Sequence, residues 1–173
     1  GGERDCASAG RGPRRLVWAL AMSCGATQNS GIPEKMAFLG TYEVLLGEEL
    51  PEDVIVGAGD LDEVDLPDRL DLLPARRNLE TIDNALATKF GKFADMGTVL
   101  RAPLKTLEGK YDYIFLDTAP NLTTPTIAAY KAAGFFLLSA MPEPFAITGL
   151  NTALTELQSV PGPGGHPSPT HHR

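Results

Sequence analysis

Tyr111-Asp112-Tyr113-Ile114-Phe115-Leu116-Asp117-Thr118-Ala119-Pro120 is the stretch whose reading decides the fold. Residues 113–116 form a short continuous apolar run, which predicts a strand covered on both faces. The run ends on Asp117, and a carboxylate at the carboxyl end of a buried strand is costly unless solvated or paired. In open α/β sheets that edge is where ligands bind, so Asp117 is the first candidate site residue. The plainer alternative is an Asp that ends a strand or caps the following turn. An apolar run closed by Asp is common, and the surrounding sequence has to choose between the two.

Outward from this run, other short apolar segments at 16–21, 70–73 and 135–140 predict three more strands. Helical patterns lie between them. Leu79, Ile82, Leu86, Phe90 and Phe93 recur at steps of three and four, which gives one apolar stripe. Ile147, Leu150, Leu154 and Leu157 repeat the pattern further on. The Ala-rich segment 124–133 reads as a crossover helix with Pro125 in its first turn. At 100–107, Pro103 either breaks or starts a helix, and Gly109 is positioned to close it. Strands alternating with helices at this spacing imply βαβ units and an α/β fold with a mainly parallel sheet flanked by helices.

The two ends differ from the middle. Residues 1–15 are rich in Gly and Arg without an apolar period, and 158–173 are rich in Pro, Gly and His. The expected organisation is an irregular segment over 1–15, one domain over 16–157 and a disordered tail over 158–173. His166, His171 and His172 all fall in that tail and read as exposed rather than metal-binding. Cys6 and Cys24 have neither a disulfide-framework nor a metal spacing, so a reducing, cytoplasmic location is expected. The acidic stretch 60–71 (DLDEVDLPDRLD) lacks the Gly and closing Glu of a calcium loop and reads as solvated. A net charge of −7 works against unaided binding to DNA or an anionic membrane. No apolar run approaches the ~18 residues of a membrane helix. The run 16–22 after Arg14 and Arg15 is also too short for a secretory leader.

Four segments in order resemble the ParA/MinD-like partitioning ATPases. YDYIFLDTAPNL resembles their Walker B segment, of the form YDYIxIDxPPSL, and MPEPFAITGL resembles VQPEYFALEGL. TYEVLLGEELPEDVIV and RLDLLPARRNLETID resemble two segments upstream, so that the similarity covers about residues 41–157. The resemblance implies a P-loop NTPase-like sheet, incomplete here. It also implies ATP and Mg²⁺ as ligands, with Asp117 as the carboxylate that orients the metal. Thr118 and Pro120 would shape the loop after that strand, and Pro142 and Glu143 would line the side of the base. A helix start, with Pro early and Glu favouring the dipole, accounts equally for Pro142-Glu143-Pro144.

The chain also departs from the family's pattern. Cys24-Gly25-Ala26-Thr27 resembles the end of the motif DxDPQ(C/G)xAT, which sets Ala19 and Ala21 where the family has aspartates. The catalytic residue is therefore not identified. Nothing matches the phosphate-binding loop KGGxGKT, whose backbone N–H groups and lysines hold the β- and γ-phosphates. Both ends break the family's pattern, so a mis-read or truncated product with only its middle in frame is one expectation. The functional expectation is an ATPase-family domain, impaired in ATP binding, whose full-length relatives partition chromosome or plasmid DNA or position cargo. A homodimer or a ParB-like protein is the implied partner. The alternative is a catalytically silent protein-interaction module that keeps the fold. An iron–sulfur reductase role requires cluster-clamping cysteines, and neither Cys6 nor Cys24 has that context.

Overall fold

The computed structural model describes residues 12–21, 39–57, 60, 66–91, 98–119, 123–137 and 155. Three strands, β1 (Arg15–Ala19), β2 (Leu70–Leu73) and β3 (Tyr113–Asp117), form one parallel sheet in the order β2-β1-β3. Parallel neighbours need crossovers long enough to return the chain to the same end of the sheet. The first crossover carries α1 (Thr41–Leu46) and α2 (Pro51–Val54). The second carries a 3₁₀ turn (Arg77–Thr81), α3 (Ile82–Phe90) and α4 (Arg101–Thr106). After β3 the chain enters α5 (Thr124–Ala132). Val56 adds one antiparallel bridge to Leu72, so the sheet is mainly parallel, as expected.

Register fixes which side chains share a face. Val17 pairs with Leu72 and Phe115, and Trp18 pairs with Leu73 and Leu116. Side chains alternate along a strand, so Leu16, Trp18, Ile114 and Leu116 share one face. On it Leu16 and Trp18 are fully buried, joined by Leu79, Ile82, Leu86, Leu100, Leu107, Ala128 and Ala129. Leu79, Ile82 and Leu86 thus fill the helical stripe read from the sequence, while Phe90 is exposed and Phe93 lies outside the described residues. Pro103 sits in the first turn of α4, where its missing N–H costs nothing. Gly109, at φ +76°, turns the chain after α4, two residues beyond the cap at Leu107.

Three expectations need correction. The run 113–116 is not covered on both faces: Tyr113 is 58% exposed and Phe115 is 49% exposed. Among the described residues β3 is an edge strand. The expected strand at 135–140 is not one over its described part, 135–137, where Phe135 and Leu137 are each 93% exposed. A strand needs a neighbour for its backbone groups, and these residues have no ladder partner among the described residues. Within the acidic stretch, Asp71 is a residue of β2 rather than part of a solvated loop, and its carboxylate accepts a hydrogen bond from Tyr111. Smaller differences concern boundaries: β1 begins at Arg15 and ends at Ala19, and β3 extends to Asp117. The expected helix around 147–157 and the tail at 158–173 lie outside the described residues, apart from helical Thr155.

Candidate functional site

The strands end together at one edge of the sheet, and Asp117 occupies that edge. It is the last residue of β3, its side chain is exposed, and its backbone carbonyl accepts from the Leu20 N–H at 2.8 Å. Among the described residues its carboxylate takes no hydrogen bond and no ion pair. Among the described residues nothing occupies either oxygen. Thr118 follows in the partly exposed segment that leaves the strand. Pro120, Pro142 and Glu143 lie outside the described residues, so the structure brings together only Asp117 and Thr118 of the five expected site residues.

Across the ladder, the partner of Asp117 is Ala19, which is fully buried, and Ala21 beyond it is buried too. Two buried methyl groups therefore stand at this edge beside Asp117. Among the described residues no group of three or more His, Cys, Asp or Glu side chains could hold a metal ion. Asp117 is the carboxylate that the end of β3 contributes.

The edge is held by a residue that the sequence reading passed over. Thr41, fully buried, donates from Oγ1 to the Ala19 carbonyl at 2.7 Å, with the Pro74 carbonyl also within reach at 3.1 Å. The same oxygen accepts from Trp18 Nε1 at 3.2 Å, while the Thr41 N–H donates to the Pro74 carbonyl at 2.9 Å. One side chain thus ties the ends of β1 and β2 to the start of α1. Buried Trp needs a partner for its indole N–H, so the lone Trp18 in a predicted strand was the available signal. Gly40 is required beside it, because a Cβ there would lie 2.4 Å from the Pro74 oxygen. Glu43 reaches back to the Gly40 N–H at 2.8 Å and completes the start of the helix. On the other side of the edge, Asp83 of α3 accepts from the Thr124 N–H at 3.0 Å, which fixes the entry of α5.

A second polar cluster lies at the opposite ends of the strands. Tyr111 donates to Asp71 at 2.7 Å, and the Arg14 guanidinium stands 5.2 Å over the Tyr111 ring and 3.8 Å from Asp71. Burial, then the Asp71 hydrogen bond and charge, push the Tyr111 hydroxyl well above its ordinary range, against the opposing pull of Arg14. A cleft of about 620 Å³ opens beside it, lined by Arg101, Lys105, Tyr111, Asp112 and Lys131 among others. It is reached from the amino end of β3, so it is not the Asp117 edge.

Comparison with known proteins adds four findings. A family described as "AAA domain" matches residues 8–162. A ParA family protein of Chlamydia muridarum is 33% identical over 91 residues, covering 53% of this chain and 35% of that protein. The chromosome partitioning protein ParA of Caulobacter vibrioides is 30% identical over 123 residues, covering 70% of this chain and 42% of its own length. The chain therefore spans well under half the length of these relatives. Among solved structures, cobyrinic acid a,c-diamide synthase from Mycobacterium smegmatis with bound ADP and magnesium superposes with a TM-score of 0.72 at 25% identity. The match covers 86% of this chain and 56% of the synthase.

Proposed function

The chain belongs to the AAA-domain family of ParA/MinD-like partitioning ATPases, and from that premise we propose that it forms the magnesium side of a ParA-like ATP site. The work of such a site is to partition chromosome or plasmid DNA, or to position another cargo, in the cytoplasm. The observation that carries this reading is the exposed Asp117 carboxylate at the carboxyl end of β3. Mg²⁺ is commonly held by one or two carboxylates, with waters and substrate phosphates filling the rest of its octahedron. A single exposed carboxylate, without a partner among the described residues, fits that role. Thr118 and Pro120 shape the loop beyond it, and Pro142 and Glu143 line the base. A nucleotide and magnesium in the related synthase support the same pairing here.

Binding by this chain is weak in this reading, because no loop resembling KGGxGKT supplies backbone N–H groups or lysines to the phosphates. Hydrolysis is impaired for a second reason. Ala19 and Ala21 replace the aspartates of the family's motif, and a buried methyl cannot orient an attacking water. A ParB-like protein or a second copy is the proposed partner, and with a charge of −7 the chain does not grip DNA unaided.

Thermal melts with and without Mg²⁺-ATP test the proposal, with Asp117→Ala as the control. A dissociation constant of ~1 mM and ~5 mM ATP give a stabilisation of ~1 kcal/mol. That corresponds to a rise of ~2–4 °C. The rise requires magnesium and disappears in Asp117→Ala. An unchanged melting temperature refutes the nucleotide site and favours the second reading, a silent interaction module. The buried alanines at the ligand edge are the observation in favour of that alternative.

A further inference from the structure

The cleft between α4 and α5 joins a cationic wall to an apolar floor. α4 supplies Arg101 and Lys105 to the wall, and α5 supplies Lys131 from its last turn. Arg101 and Lys105 stand four residues apart, so they share one face of a short helix, where like charges repel. Among the described residues no carboxylate forms an ion pair with either of them. Two carboxylates do line the cleft, Glu108 and Asp112. Asp112 is already engaged, since it accepts from the Arg14 N–H at 2.7 Å. Cations thus outnumber carboxylates three to two here, in a chain whose net charge is −7.

The floor has the opposite character. Leu107 and Ala128, both buried in the core, mark it, with Leu104 and Ile114 beside them. Tyr111 lines the cleft as well, but its hydroxyl donates to Asp71 at 2.7 Å, so what it offers a ligand is its ring. A volume of about 620 Å³ is that of a small-ligand site, and such sites are largely apolar with a few charged groups that fix orientation.

We propose that this cleft binds a small aromatic phosphate, its ring on the apolar floor beside Tyr111 and its phosphate held by Arg101, Lys105 and Lys131. A guanidinium meets phosphate through two parallel N–H donors, and the two ammonium groups add point charges. A dianionic phosphate offsets three cations better than a lone carboxylate does. The site is separate from the magnesium edge. Tyr111, Asp112 and Ile114 lie at the amino end of β3, whereas Asp117 closes its other end, ~13 Å along the strand. Binding here is therefore independent of the nucleotide reading and needs no magnesium.

Amide-shift mapping by NMR on the 173-residue chain, in EDTA, tests the idea with AMP, phenyl phosphate, adenosine and inorganic phosphate as probes. The expected result is saturable shifts at Leu104, Gly109 and Ala128 with either aromatic phosphate, at a dissociation constant of ~1 mM or tighter. Adenosine and inorganic phosphate should each bind at least about tenfold more weakly. Tighter binding of AMP than of phenyl phosphate identifies a nucleotide as the source of the group, and equal binding identifies aromatic phosphates in general. Arg101→Ser combined with Lys105→Ser raises the dissociation constant at least about tenfold. Both side chains are exposed, so the rest of the amide spectrum should stay unchanged. Asp117→Ala leaves this binding intact, whatever it does to Mg²⁺-ATP. Absence of shifts at millimolar probe overturns the proposal. So do shifts confined to the Asp117 edge, inorganic phosphate binding as tightly as the aromatic phosphates, or a double variant that binds like the wild type.

Discussion

Replacing Thr41 by Val keeps the shape of the side chain while removing the oxygen that joins three elements. The hydroxyl donates to the Ala19 carbonyl and accepts from Trp18 Nε1 in a site without solvent access. A net buried hydrogen bond is worth about 1 kcal/mol, and a buried donor left without a partner costs ~1–3 kcal/mol. Val leaves both the indole N–H and the Ala19 carbonyl unsatisfied on this side, so the expected loss is ~2–4 kcal/mol. Thr41→Ser is the control. It keeps the oxygen and removes one methyl, for a cost of ~1 kcal/mol plus a small cavity term. Urea unfolding followed by the emission of the chain's one tryptophan, Trp18, reads the loss at the site itself. The midpoint should fall in the order wild type, Thr41→Ser, Thr41→Val, with the slope unchanged. Equal midpoints for the Ser and Val variants would refute the reasoning, since the effect would then come from packing rather than from the hydroxyl.

Two shorter predictions concern the same framework. Gly40→Ala brings a Cβ to 2.4 Å from a backbone oxygen that cannot move without disturbing Thr41, so it should destabilise by ~1–3 kcal/mol in the same urea assay. Tyr111→Phe should change the alkaline limb of stability. The folded-state value lies above the unfolded value of about 10, so this contribution is complete below pH ~10 and fades as the pH rises further. The wild type should thus lose more stability than Tyr111→Phe between pH ~9 and ~11 in urea titrations, and parallel losses would exclude the Asp71–Tyr111 bond as the cause.

Much of the fold was legible because the periods were clean. Leu70–Leu73 appears at its expected bounds, and Leu79, Ile82 and Leu86 line up on the core as their spacing required. Thr124–Ala132 begins where Pro125 allowed a first turn. Asp117 emerged at the end of β3 because an apolar run followed by a carboxylate has few other homes in a parallel sheet. Thr41 was hidden for the opposite reason: a hydroxyl that serves buried carbonyls leaves no periodic trace. Its role is fixed by Trp18 and Pro74, 23 and 33 residues away in the chain. Coverage of a strand is equally nonlocal. The run 113–116 was read as buried on both faces because its residues are apolar, yet apolarity records what a strand can bury rather than what lies over it.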